Sequence, residues 1–264
     1  MNQNKFKTKD MKKSIVTAIA ALCLLGAVDS HAQGYYGHGR HDRPGRTYFG
    51  HNGIELSAGY LHSNYKHEDY TSETTEKDKG LNGLYLGLTK DFTLIRRALY
   101  FQTGATYAYQ NASNRFDYGA LQVVSDRSEH YVDIPARLKL ALDVAPRLRA
   151  FFSAGPTMNF GISSKLQYRA KVADNSVAKT TYNYYSGKVK ADLKGHELPM
   201  ENPSSAYRRF DVGMGFEAGV LIHEVAVLKL GLDWGLINKN KNRTVADYLV
   251  THRNTFHLGI GIRF

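Results

Sequence analysis

From Asn254 to Phe264 the chain alternates with period two. Phe256, Leu258, Ile260, Ile262 and Phe264 fall on one face, and Thr255, His257, Gly259, Gly261 and Arg263 on the other. A strand turns successive side chains to opposite faces, and about 9–11 residues are enough for a tilted strand to cross a bilayer. Seven more segments keep their apolar residues on one parity: Gly53 to Leu61, Leu81 to Thr89, Leu99 to Tyr109, Tyr131 to Leu142, Leu148 to Ile162, Phe210 to Ile222 and Ala226 to Ile237. One such segment is weak evidence, but eight in series constrain the fold.

The fourth segment is the cleanest. Val132, Ile134, Ala136, Leu138, Leu140 and Leu142 oppose Tyr131, Asp133, Pro135, Arg137, Lys139 and Ala141. A soluble sandwich would bury the apolar face, whereas a barrel in lipid turns it outward, and the connections choose between the two. Residues 62–80, 110–130, 163–209 and 238–253 are long and polar, while 90–98, 143–147 and 223–225 are short. Long loops on one side, tight turns on the other, an even strand count and an aromatic final residue are the outer-membrane arrangement. The expected fold is all-β: an eight-stranded antiparallel up-and-down transmembrane β-barrel over 53–264, with a long loop at 163–209 and both termini periplasmic.

The amino-terminus fits export. Lys12 and Lys13 precede an apolar run from Ile15 to Val28, and Ser30-His31-Ala32 forms a small-x-small cleavage site. Residues 1–32 therefore read as a signal peptide, with Met11 an alternative start, and 33–52 as a periplasmic leader. The run from Ile15 to Val28 is shorter than the roughly 20 residues of a membrane helix. Cys23, the one cysteine, lies within that run, so the exported chain has no disulfide or thiolate metal site. Residues 1–32 carry five Lys against Asp10 and Asp29, a net of +3, which leaves +8 of the chain's +11. An exported chain does not meet nucleic acid, so lipopolysaccharide phosphate is the acidic partner to expect. The mean hydropathy of −0.42 suits a barrel, in which only alternate strand residues touch lipid.

The inward parity carries Glu55, Asp133, Asp211, Glu217 and Asp233 against Arg137, Lys139, Lys229 and Arg263, with His257 nearby. Buried charges persist when paired and hydrogen-bonded, so these residues predict an ionic plug that closes the lumen. Inward glycines, among them Gly215, Gly219 and Gly259, leave room for long side chains opposite. Tyr60, Tyr107, Tyr109, Phe160, Phe210, Trp234 and Phe264 face outward near strand ends, where amphipathic rings favour the membrane interface. Pro156, which lacks a ladder donor, predicts a bulge.

Tyr131-Val-Asp-Ile-Pro135 with Ala136-Arg-Leu-Lys-Leu140, then Ser153-Ala-Gly-Pro156, Asp211-Val-Gly-Met-Gly-Phe-Glu-Ala-Gly219 and Leu258-Gly-Ile-Gly-Ile-Arg-Phe264 resemble, in this order, strands of the PorT-like outer-membrane β-barrel family. That family usually has Leu-Glu between the Tyr and the Ile. The resemblance covers roughly Gly53 to Phe264 and implies an eight-stranded outer-membrane barrel. The member that names the family is linked to protein secretion; a shared fold alone does not transfer that role. The long third loop and the Gly/His/Arg leader depart from the family pattern.

Three candidate sites remain. Some small barrels modify lipid A, and His62, His67, Asp69, Asp126, Ser128, His130 and His252 fall toward the outer rim; no spacing among them brings a nucleophile, base and orienting group together. In the leader, His38, His41 and His51 are spaced by flexible Gly-rich sequence, which reads as linker rather than metal site. The third loop is the most individual. From Lys165 to Arg209 it holds nine bases against four acids. Lys165, Arg169, Lys171, Lys188, Lys190, Arg208 and Arg209 interleave with Tyr168, Tyr182, Tyr184 and Tyr185, and alternation in Leu166 to Val172 and Thr180 to Val189 suggests hairpins above the membrane. A basic rim neutralising lipopolysaccharide phosphates is one reading; a ligand- or partner-binding surface is the other.

The chain is thus expected to be a monomeric barrel that is structural or binds through its outer loops, without cofactor, metal or enzymatic activity. A transport or secretion-associated barrel is the alternative, and a lipid A-modifying enzyme comes third. Expected partners are outer-membrane lipid and lipopolysaccharide, the barrel-assembly machinery through the strand ending at Phe264, and an unidentified extracellular or secretion partner.

Overall fold

A computed structural model describes residues 53–69, 74–77, 80–119, 121–172, 175–193, 196–198, 205–241 and 249–264. The expected signal peptide and the whole of the leader, with its histidines, lie outside these residues. Eight strands build the wall: β1 (Ile54–Asp69), β3 (Leu81–Ile95), β4 (Leu99–Tyr118), β5 (Leu121–Ala145), β6 (Leu148–Val172), β10 (Phe210–Ile222), β11 (Ala226–Gly235) and β12 (Leu249–Arg263). The short strands β2 (Thr74–Lys77), β7 (Asn175–Asn183), β8 (Val189–Leu193) and β9 (His196–Leu198) lie between them in sequence. Every neighbour is antiparallel. The pairings of β6 with β10 and of β12 with β1 close the ring.

The alternating residues face as their parity requires. Leu138, Leu140, Leu142, Leu228, Leu230, Leu232, Ile260 and Ile262 are exposed on the wall, while Glu55, Arg137, Lys139, Glu217 and Lys229 are buried in the bore. Such an inversion is stable only where lipid replaces water outside. Tight turns join the strands at one end. At His223 and Glu224 both residues take positive φ, 52° and 62°, the conformation of primed hairpin turns whose twist matches the flanking strands.

The strands are longer than the alternation predicted. β5 and β6 each run 25 residues, roughly 80 Å at about 3.3 Å per residue, well beyond a bilayer. Much of the expected loops 62–80, 110–130 and 163–209 is therefore strand, and β12 begins at Leu249 rather than Asn254. β3 likewise runs on to Ile95 inside the expected turn 90–98, while β11 stops at Gly235, short of Ile237. The expected hairpin strand from Thr180 to Val189 is broken: β7 ends at Asn183, whose side-chain oxygen accepts from the backbone N–H groups of Tyr185 and Ser186. That turn, with Gly187 at φ 69°, delivers the chain to β8.

Pro156 does not bulge the sheet. Its pairing with Met214 is in register, and the β5–β6 register is the same on either side of it. The shift lies higher, where His130 pairs with Ser163 but Tyr131 with Gly161, so that Ile162 is the extra residue. A one-residue insertion exchanges the two faces of a strand. Here β6 also changes partner: Phe160 is its last residue paired with Phe210 of β10, and from Lys165 upward it pairs with β7. The membrane wall ends at this bulge and an extracellular sheet of β4, β5, β6, β7, β8 and β9 begins.

Candidate functional site

The bore is crossed by one connected ionic chain. At its turn end Arg263 meets Asp91 at 3.2 Å, Asp91 accepts from Lys139 Nζ at 3.0 Å, and Lys139 lies 3.8 Å from Glu55. Lys229 Nζ then donates to Glu55 at 2.6 Å and lies 3.6 Å from Glu217. Arg137 bridges Glu217 at 3.4 Å and Asp233 at 2.7 Å, and His257 stands 3.4 Å from each of the same two carboxylates. Further out, Asp133 accepts from Asn159 at 2.5 Å and faces Arg253 at 3.6 Å. Nine of the ten inward groups singled out in the sequence join these pairs. The tenth, Asp211, is buried but forms none of these pairs, and its Oδ1 has no hydrogen-bond partner among the described residues.

Glycines give the long side chains their space. A Cβ on Gly215 would lie 2.4 Å from Asp233 Oδ1 and 2.5 Å from Arg137 Nη2, and one on Gly259 would lie 1.8 Å from the Tyr85 hydroxyl. Two apolar clusters, Tyr100 with Ala141, Phe151, Leu221 and Val227, and Leu61 with Tyr85, Ala108 and Tyr131, fill the bore between the charges. Cavities of about 40 Å³ beside Arg137 and about 10 Å³ beside Lys139 remain; the first has room for a few water molecules and the second for scarcely one.

Above the aromatic belt the mouth is filled by side chains of which the sequence pattern singled out only Tyr184, and that one as part of an outer binding surface. Backbone bonds carry the wall round from β6 to β12 at this height: Tyr184 N–H donates to the Ser164 carbonyl, Tyr207 N–H to that of Tyr184, Arg208 N–H to that of Lys239 and Lys239 N–H to that of Thr251. Tyr207 stacks between Tyr65 and Tyr184, with centroids 6.1 and 4.7 Å away and planes within 9°. The Arg127 guanidinium lies 4.1 Å over the Tyr65 ring, a cation–π geometry. Beneath it Glu129 is fully enclosed and accepts from Tyr65 at 2.6 Å, Gln110 at 3.0 Å, Ser164 at 2.9 Å and Arg127 at 3.0 Å. Glu129, Arg127 and Arg253 continue the inward parity of strands that were ended too early, and Asp91 continues that of Leu81 to Thr89.

Lys239 also lies in this cap, 1% exposed, with no hydrogen-bond partner for Nζ among the described residues. Burial and then the nearby Arg253 charge push its pKa down to about 8, against the opposing pull of Glu129 and Asp211. A folded-state value below the unfolded one means that the fold penalises the charged lysine at neutral pH, and that the penalty fades as pH rises from about 8 toward 10.5. Lys239→Met is expected to stabilise the barrel at pH 7 by about 1–3 kcal/mol, a gain that shrinks above pH 10 in urea titrations.

The outer-loop residues divide. Tyr185 is buried against Gly161 with Arg209 over its ring at 5.5 Å, and Tyr184 belongs to the cap. Arg208 and Lys188 are exposed outside the strands. Lys165, Arg169, Lys171, Tyr168, Tyr182 and Lys190 lie on the extracellular strands. Against the desolvation that opposes it, hydrogen bonds from Ser113 and Arg169 hold the Asp126 carboxyl below its ordinary pKa. Of the rim residues weighed for catalysis, His130 is bonded to Tyr107, His62 to Asn82, and Asp126 to Ser113 and Arg169. The side chains of His67 and Asp69 lie outside the described set.

Residues 46–240 match the family described as outer membrane protein beta-barrel domain. The chain belongs to this family. It is an outer-membrane barrel protein, and the closed eight-stranded ring is the form the family takes here. No curated protein matches the chain. Among solved structures it is similar to Ail, the attachment invasion locus protein of Yersinia pestis, with 14% identity, a TM-score of 0.37, and 80% of this chain and 97% of that one covered. Neisserial surface protein A shares 12% identity at a TM-score of 0.33, covering 80% and 97%. The toluene transporter TbuX of Ralstonia pickettii shares 12% at 0.25, covering 80% and 90%.

Proposed function

We propose that this outer-membrane barrel is a closed, non-conducting and non-enzymatic scaffold that works through its extracellular sheet as a binding module, in the manner of a PorT-like barrel without a pore. The observation that carries this reading is the connected ionic chain from Arg263 to Asp233, which occupies the bore at ion-pair distances. A solute would have to break buried pairs to pass. Residues 1–32 serve as the export signal and 33–52 as a periplasmic leader, and the barrel domain from residue 53 acts as a monomer. The strand ending at Phe264, whose ring faces lipid, is the segment offered to the barrel-assembly machinery.

Planar-bilayer recording tests the reading. The purified barrel is expected to give no steady unitary conductance, and a stable open level in the wild type would sink the closed-bore reading in favour of transport. Lipid A from cells with and without the protein is expected to have the same mass profile; a protein-dependent change would establish the enzymatic alternative.

A further inference from the structure

We infer that the outward face of the extracellular sheet is a docking surface for the phosphorylated glycolipid of the outer leaflet, whose phosphates are held by Lys165, Arg169, Lys171 and Lys179. This rests on the reading that the sheet, rather than the bore, is the working part. In-register partners in antiparallel strands share a face. Lys165 is opposite Ser128 and Asn183, Arg169 opposite Val124 and Lys179, and Lys171 opposite Gln122 and Ser176. These residues therefore share the face of His130, which pairs with the outward Tyr109 of the belt.

The bulge at Ile162 produces this orientation. Below it the even-numbered residues of β6, such as Phe152 and Phe160, face lipid; above it the odd-numbered ones take the outward side, and Tyr168 and Val172 turn to the opposite face. Bases are thereby gathered on the side that continues the lipid-facing surface of the wall. Lys165 stands two residue pairs above the His130 belt, about 7 Å along the strand, and Arg169 and Lys171 roughly 13–20 Å beyond it. This ladder rises from the hydrocarbon boundary into the layer of sugars and phosphates.

Among the described residues its charge is incompletely answered. Asp126 pairs with Arg169, and Asp192 lies opposite Lys179. Arg169 and Lys179 nevertheless face each other directly, and Lys165 and Lys171 have only neutral residues opposite. Like charges directly opposite across strands are destabilising, and a phosphate laid over them removes the repulsion. Covalently anchored anions at fixed height match such a ladder better than anions arriving free from solution.

The test uses the full chain folded in detergent micelles. Native mass spectrometry would compare retention of lipid A bearing its phosphorylated inner-core sugars with the same glycolipid stripped of phosphate, for the wild type and for a Lys165→Gln/Arg169→Gln/Lys171→Gln variant whose folding is verified by heat-modifiable gel migration. The wild type is expected to favour the phosphorylated form and the variant to lose that preference by about tenfold or more. Equal retention of both lipids, an unaffected variant, or binding of dextran sulfate without binding of lipid A would overturn the inference. Bilayer conductance bears only on the bore, so failure of the closed-barrel reading would show separately.

Discussion

Arg137→Ala is expected to destabilise the barrel by about 3–5 kcal/mol, the cost of stripping one partner from a buried ionic cluster. The guanidinium donates to Asp233 at 2.7 Å, Thr157 at 3.3 Å and Glu217 at 3.4 Å. Its loss leaves two enclosed carboxylates sharing His257 and Lys229. Neither alanine nor the adjoining 40 Å³ cavity supplies a compensating charge. Trp234, the single tryptophan, faces lipid on β11 and reports unfolding by its fluorescence in urea. Lys165→Ala, on the exposed outer sheet, is expected to stay within about 0.5 kcal/mol of wild type. Equal effects at the two positions would mean that the inward and outward parities are misassigned.

The parity that exposes this cluster is legible because the two faces of a membrane strand meet opposite solvents. From Val132 to Leu142 lipid demands apolar residues at even positions and the bore demands polar or small ones at odd positions, so the contrast is nearly complete. Above the belt that contrast ends. Both faces of the outer sheet lie outside the hydrocarbon, and Lys165 to Val172 looks like loop although it is continuous strand. The bulge is hidden for a different reason. Phe160, Ile162, Leu166, Tyr168, Ala170 and Val172 keep even parity straight through it, so the pattern gives no sign that the apolar face has moved from the lipid side to the opposite side. Read without the bulge, Lys165 and Arg169 would point inward. Only the register of β5 against β6 reveals that they turn out. The Pro156 expectation failed because proline omits a donor without requiring an inserted residue, and the ladder resumes beyond it in step.

The cap over the bore invites the second large effect, because Glu129 carries most of its polar connections. Glu129→Ala is expected to cost about 3–5 kcal/mol: it would break the Arg127–Glu129 pair, remove the acceptor for Tyr65, Gln110 and Ser164, and place Arg127, Lys239 and Arg253 near one another without Glu129 to balance them. The pH dependence provides a second signature. Glu129 lies above the belt, outside the membrane-spanning stretch. Burial there raises its pKa, but Arg127, Lys239 and the Tyr65 hydrogen bond outweigh burial and bring it down to about 2, from an ordinary 4.5. A depressed carboxylate contributes stability that is fully present above about pH 4.5 and is lost as pH falls toward 2. Wild type should therefore lose about 3 kcal/mol across that window from this group, while Glu129→Ala should lose correspondingly less. Urea midpoints measured between pH 6 and 2 decide the matter: parallel pH profiles in the two proteins would show that the carboxylate is not the ionised hub of the cap.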